Sequence, residues 1–334
     1  MASAEQRLYE LFALAVKSAW SDLHISADKG VYCRYGKQFR RLSDACFSAE
    51  DMEVLPRILL DENELAELYD KRSIDFAYEY GGRRFRINIY SSINGWNMAA
   101  RLIRNEVIPM EFFASSEVLQ RVLTENLSSG GLVLLCGATG SGKSTTMASF
   151  IDYLNRTADC HIITLEDPIE FLFEAERSLI HQREYNEDFH HFDEAVKAAM
   201  RQDPDVLIVG EIRSNAVMKA VLNAAETGHL VLGTLHAASA VEAVMRIESF
   251  FPSAGAEAVR AQTAGCLVAV LAQRLISDAK GELACCMEIL LGSAAVKNII
   301  RRGDFAQLTT QMQLGRAQGM QTMAEAEKHL LKAR

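Results

Sequence analysis

The sequence predicts an α/β chain in two parts: a small α+β module built on antiparallel strands, then a larger unit whose mainly parallel sheet is covered on both faces. Three observations carry this expectation. Short alternating runs separated by glycines fill the first part of the chain. Beyond it, the nearly unbroken apolar runs at 132–136, 160–165, 206–210 and 229–235 alternate with helix-period segments, as strands buried on both faces do. A length of 334 residues with 49% hydrophobic content is enough for two cores.

Residues 5–20 open the chain with Leu8, Leu11, Phe12, Ala15, Val16 and Ala19 at helical spacing, which predicts an amphipathic helix. The runs 21–26, 31–35 and 39–42 alternate as strands, with Gly30 and Gly36 at turns. Ser48 followed three residues later by Asp51 marks a helix start, and 49–71 reads as one or two helices. The runs 75–80 and 83–90 flank Gly81-Gly82, a pair suited to a two-residue hairpin turn. Pro109 breaks the pattern. The expected division is therefore an N-terminal α+β domain at 1–106, a linker at 107–120, and an α/β domain with a helical C-terminal part at 121–334.

Composition narrows the function. A net charge of -9 argues against a chain built mainly to hold nucleic acid, so no nucleic-acid partner is expected. No apolar run is long enough to cross a bilayer, and the N-terminus carries no basic-then-apolar leader, which predicts a cytoplasmic protein. Seven cysteines without a C-x-x-C pair read as reduced, mostly buried thiols instead of disulfides or a structural zinc site.

The stretch GATGSGKSTT, from Gly137 to Thr146, follows a predicted strand and opens a predicted helix. It fits the phosphate-binding pattern G-x-x-x-x-G-K-[ST] through Gly137, Gly142, Lys143 and Ser144. Glycines let the backbone wrap an anion, so that the N–H groups of Gly137, Ala138, Thr139, Gly140, Ser141, Gly142, Lys143, Ser144 and Thr145 face phosphates at a helix N-terminus. Lys143 is expected at the β- and γ-phosphates and the Ser144 hydroxyl on Mg²⁺, making ATP and Mg²⁺ the expected ligands.

Three further segments point to hydrolysis. The strand at 206–209 ends at Gly210-Glu211, which puts a carboxylate where open α/β sheets bind ligands and makes Glu211 a candidate for the Mg²⁺ shell. The segment ITLEDPIEFL at 163–172 crowds Glu166, Asp167 and Glu170 onto another strand end, an arrangement that suits a metal or an attacking water. The segment at 226–239 sets His229 and His236 at the two ends of a strand.

The order of phosphate loop, LEDPIE at 165–170, DPDVLIVGEIR at 203–213 and TGHLVLGTLHA at 227–237 resembles the motifs of the secretion-superfamily hexameric ATPases. SDLHIS, RFRIN and the C-terminal AAVKNIIRRGDFAQL most resemble their PilT-like branch, the twitching-motility retraction ATPases. The resemblance implies a RecA-like P-loop ATPase core behind a PAS-like N-terminal domain, six copies in a ring, and an inner-membrane pilus or secretion platform as partner. It also implies peripheral attachment to the inner face of the cytoplasmic membrane. It implies that Glu170 acts on the attacking water with Glu166 as the fallback, that Glu211 is the Walker B glutamate, and that His236 lies near the γ-phosphate. It further implies that arginines of a neighbouring subunit, among Arg84, Arg86, Arg101 and Arg104, complete the site. Two alternatives stand beside pilus retraction: a type II or IVB secretion ATPase driving export, and an ATP-dependent regulator or scaffold without turnover.

Overall fold

The computed structural model of the chain describes residues 3–18, 20–35, 38–42, 46–103, 107–277 and 283–332, with only the backbone of residue 332. Ala19, Gly36 and Arg104 lie outside the described residues. Contacts divide the chain into two units, 1–106 and 107–334.

In the first unit, α1 (Ala4–Ser18) precedes β1 (Asp22–Ser26), β2 (Gly30–Tyr35) and β3 (Gln38–Leu42). The helices α2 (Ala49–Leu59) and α3 (Glu62–Lys71) follow, then β4 (Ser73–Tyr80), β5 (Arg83–Ser92) and β6 (Gly95–Leu102). The region read as one or two helices is two, because each has its own capping box, Ser48 with Asp51 and Asp61 with Glu64. Gly81 and Gly82 turn the β4–β5 hairpin with φ of 59° and 70°, a backbone that a side chain would strain.

All six strands pair antiparallel in the order β3-β2-β1-β6-β5-β4. Strand alternation sends Leu23, Ile25, Val31, Phe85 and Ile87 into one core with Leu8 and Phe12 of α1. The same alternation sends Asp22, Arg34, Arg84, Arg86 and Arg101 to the other face, which takes no part in that core. The strand β6 escaped the sequence reading: it pairs with both β1 and β5, through the segment 95–102 that carries no strong alternation.

The division falls at 106/107, where the first domain was expected to end, and the stretch expected as a linker lies in the second unit. Residues 110–112 form a 3₁₀ turn and α4 (Ser116–Asn126) starts within 107–120, with Met110 and Leu119 buried in the second unit's core. Pro109 marks a turn there, but apolar burial decides where the domain starts.

The order then runs β7 (Gly131–Cys136), α5 (Lys143–Thr157), β8 (His161–Glu166), β9 (Leu179–Glu184), α6 (Phe192–Ala199) and β10 (Val206–Val209). It continues with α7 (Asn215–Glu226), β11 (Leu230–Leu235), α8 (Ala240–Ser249) and α9 (Ala256–Cys266). The hairpin β12 (Leu267–Ser277) and β13 (Leu283–Leu291) precedes α10 (Ala294–Arg302), α11 (Leu308–Leu314) and α12 (Met323–Lys332). The sheet order is β13-β12-β7-β11-β10-β8-β9, parallel throughout except for the antiparallel edge strand β13.

Both faces of this sheet are covered. Val133, Leu135, Ile162, Val206 and Ile208 pack against α4 and α5, while Leu132, Leu134, Ile163, Leu207 and Val209 pack against the helices that follow. Adjacent residues of one strand enter opposite cores, which explains why these strands read as continuous apolar runs. The consequence for function is positional: the carboxyl ends of β7, β8, β10 and β11 open on one edge, where polar side chains can gather.

Candidate functional site

The loop leaving β7 is shaped by glycines whose backbone admits no substitute. Gly137 has φ of 156°, and a Cβ there would lie 2.5 Å from both Gln273 O and Ser141 Oγ. Gly142 has φ of 88° and starts α5, so the helix N-terminus points its first N–H groups into the loop. Gln273 of β12 holds the loop from behind, its side-chain amide donating to Ser141 O at 2.7 Å. This support was not foreseen, because nothing in the local sequence links residues so far apart. The described residues put Gly137 and Ser141 in the interior and leave Ala138, Thr139, Gly140 and Ser144 exposed.

Lys143 folds over this loop and donates from Nζ to Gly137 O at 2.8 Å and Ala138 O at 3.0 Å. Burial pulls its ammonium below the usual lysine range, against the opposing pull of Glu211, Cys136 and Glu170. Glu211 and Glu170, found at distant points of the sequence, thus both act electrostatically on the phosphate-loop lysine.

Glu211 is brought in by the chain leaving β10. Ile212 N–H donates to Thr234 O at 3.0 Å, and the Thr234 hydroxyl donates to Gly210 O, fastening this turn to β11. The carboxylate of Glu211 then meets His236 Nε2 at 3.1 Å through Oε1 and Arg213 Nη2 at 2.7 Å through Oε2. Burial raises its pKa, but Arg213, His236 and Lys143 outweigh that and hold it below the ordinary glutamate range. Arg213 also reaches Asp167 Oδ2 at 3.3 Å, which joins the end of β10 to the acidic segment after β8.

The three acidic residues of that segment part company. Asp167 is drawn to Arg213, and Glu170 is exposed. Glu166 turns inward, accepting from the Thr164 hydroxyl at 2.6 Å and from Gln182 Nε2 at 3.3 Å. Burial pushes its carboxyl up to about 6, against the lowering effect of those hydrogen bonds and of the Glu170 backbone N–H.

The loop between β8 and β9 is held by β9, a strand the sequence reading missed. Gln182 donates to Phe171 O at 2.7 Å and accepts from Phe173 N–H at 3.0 Å, and Glu184 accepts from Ile169 N–H at 3.2 Å. Of the two histidines singled out, only His236 joins this site. His229 lies at the opposite end of β11, with Nδ1 against Ala224 O at 3.1 Å and Thr227 Oγ1 at 3.2 Å.

The N-terminal arginines belong to the other unit. Arg86 faces Asp75 at 3.6 Å, and Arg101 is bound to Asp22 at 2.8 Å. All seven cysteines are free thiols, five of them buried. Among the described residues, no helix is long and apolar enough to cross a membrane.

The family described as type II/IV secretion system protein matches residues 7–330. The type IV pilus retraction ATPase PilT of Pseudomonas aeruginosa is 38% identical over 323 residues, covering 96% of this chain and 93% of that protein. A twitching motility protein of Neisseria gonorrhoeae is 38% identical, covering 88% of this chain and 78% of its own. A crystal structure of the pilus retraction motor PilT with bound ADP superposes with a TM-score of 0.86 at 33% identity, covering 96% of both chains.

Proposed function

The chain belongs to the type II/IV secretion system protein family, and from that premise we propose that it is a cytoplasmic ring ATPase that turns ATP hydrolysis into type IV pilus retraction. The observation that supports it most is the meeting of Lys143, Glu211 and His236 at the carboxyl ends of three neighbouring strands, beside the exposed Glu170. Relatives matched across most of their length are named for pilus retraction and twitching, which favours this reading over export.

The residues fit a magnesium nucleotide. Ser144 offers an exposed hydroxyl and Glu211 a carboxylate, both hard oxygen donors. Such a sparse set suits Mg²⁺, which is commonly held by one or two protein oxygens together with phosphates. When bound, Mg²⁺ would neutralise phosphate charge. The loop from Gly137 to Thr145 binds the phosphates, and Lys143 gives up its loop carbonyls to reach them. Glu170 takes the proton of the attacking water. His236 orients Glu211 and faces the terminal phosphate.

Arg84 and Arg86 act in the site of a neighbouring copy. Their sheet face lies outside the first unit's core and carries Arg34 and Arg101 as well, with Asp22 and Asp75 as partners, so that four guanidinium groups stand against these two carboxylates. We infer six copies in a ring, docked on an inner-membrane pilus platform without nucleic acid.

The deciding experiment deletes the gene and complements it with wild type or Glu170→Gln. Twitching should return only with wild type, while both proteins bind ATP. A strain that twitches normally yet fails to export protein would transfer the chain to the secretion reading.

A further inference from the structure

In this chain both oxygens of Glu211 are already taken, one by His236 at 3.1 Å and the other by Arg213 at 2.7 Å. The second partner is a full cation, placed on a carboxylate that the reading above assigns to the metal. Arg213 is also forked: its other terminal nitrogen reaches Asp167 at 3.3 Å, on the segment that carries Glu170. A planar guanidinium can slide between two carboxylates by small rotations, because its donors are fixed side by side. Lys143 completes the pattern, turned onto carbonyls of its own loop.

We propose that Arg213 is a built-in stand-in for the divalent cation: it occupies Glu211 while no metal nucleotide is bound, and passes to Asp167 when one arrives. The inference rests on the proposed role of Glu211 and goes beyond it. Two carboxylates near one phosphate pocket repel each other and attract any free divalent ion. A tethered arginine quenches both effects at once, keeping the loop receptive to a phosphate anion and admitting metal only in company with it. The transfer to Asp167 also ties metal arrival to the segment that positions Glu170. Arg213 is thus a positioning residue: it touches Glu211 and Asp167, and acts on the reaction through them.

The test reads metal binding by the full-length protein without nucleotide, using Mn²⁺ followed by electron paramagnetic resonance. Arg213→Gln should bind Mn²⁺ about tenfold more tightly than wild type, the result of removing one partly screened cation from a carboxylate. Arg213→Lys, which keeps the charge, should stay near wild type. Asp167→Asn leaves the arginine no second carboxylate, only a neutral acceptor, so it should bind Mn²⁺ more weakly than wild type and need more Mg²⁺ to reach half-maximal turnover.

The two neutralising variants therefore shift metal affinity in opposite directions, which loss of folding cannot do. If Arg213→Gln and Asp167→Asn shift it the same way, or leave it unchanged, the stand-in role is wrong. Mn²⁺–ATP binding to wild type and Glu211→Gln separates the two levels of the argument. If Glu211→Gln holds Mn²⁺–ATP as tightly as wild type, the assignment of Glu211 itself fails; if it does not, only the arginine's part is at stake.

Discussion

Gln182 on β9 stands 3.3 Å from the Glu166 carboxylate and 2.7 Å from the Phe171 carbonyl, so one amide ties the start of the acidic segment to its far end. Its oxygen accepts from Phe173 N–H at 3.0 Å. Gln182→Ala orphans the Phe171 carbonyl and the Phe173 N–H, two backbone groups of a partly buried loop, and leaves Glu166 with its bond from the Thr164 hydroxyl. Each orphaned group costs about 1–3 kcal/mol, so the second unit should lose roughly 2 kcal/mol or more of stability. Because the phosphate loop is held from the other side by Gln273, the KM for ATP should stay close to wild type while kcat falls by about tenfold or more, as expected when a catalytic group is misplaced. Steady-state kinetics with a calorimetric melt decide it: a raised KM at unchanged kcat would show that Gln182 serves binding.

Such supporting residues mark where sequence reasoning stops. The phosphate loop, Glu211 and His236 were legible because each sits in a short motif beside a strongly apolar strand. Gln182 and Glu184 were not, because β9 spends its inward positions on hydrogen bonds to a loop and so shows no hydrophobic alternation. Gln273 was hidden differently. It lies in an apolar run at 267–277 whose periodicity cannot separate a buried strand from a buried helix, and its partner Ser141 is 132 residues away. Spacing alone left Glu166 and Glu170 equivalent and only the resemblance favoured Glu170; the inward turn of Glu166 and the exposure of Glu170 set them apart.

That burial has a pH signature. The folded pKa of Glu166 is about 6 against an ordinary 4.5. Between those values the folded chain keeps a proton that the unfolded chain has lost, so this residue makes stability fall as pH rises through the window, and the penalty is constant above it. The shift corresponds to roughly 2 kcal/mol. Glu166→Gln cannot titrate, so its stability relative to wild type should improve by about that amount between pH 4.5 and 6.5. Melts of both proteins across this range would settle it, and parallel curves would mean that Glu166 is not raised.

Lys143 predicts the simplest loss. Its ammonium rests on two carbonyls of the loop that would cradle the phosphates. A charge-assisted hydrogen bond to phosphate contributes about 1.5–3 kcal/mol, so Lys143→Ala should weaken ATP binding by roughly ten- to a hundredfold. Calorimetric titration measures this directly. Unchanged affinity would remove the lysine from the phosphate site.

The arginine face of the first unit gives the last prediction, which asks whether one site draws on two copies. Arg86 is exposed and only loosely paired with Asp75 at 3.6 Å, so Arg86→Ala should leave the unit folded. If the guanidinium serves a neighbour's phosphate loop, this variant alone turns over little ATP although its own loop is intact, and so does Lys143→Ala alone although its arginine is intact. Mixed before assembly, the two restore sites in which one copy supplies the lysine and the next supplies the arginine. For random assembly at equal amounts, about a quarter of the interfaces carry both, so turnover should recover to roughly that fraction of wild type. A group acting within its own chain gives the opposite outcome, since every copy in the mixture is then defective and no arrangement of copies repairs it. Turnover that stays at the level of the separate variants would therefore place Arg86 outside any shared site.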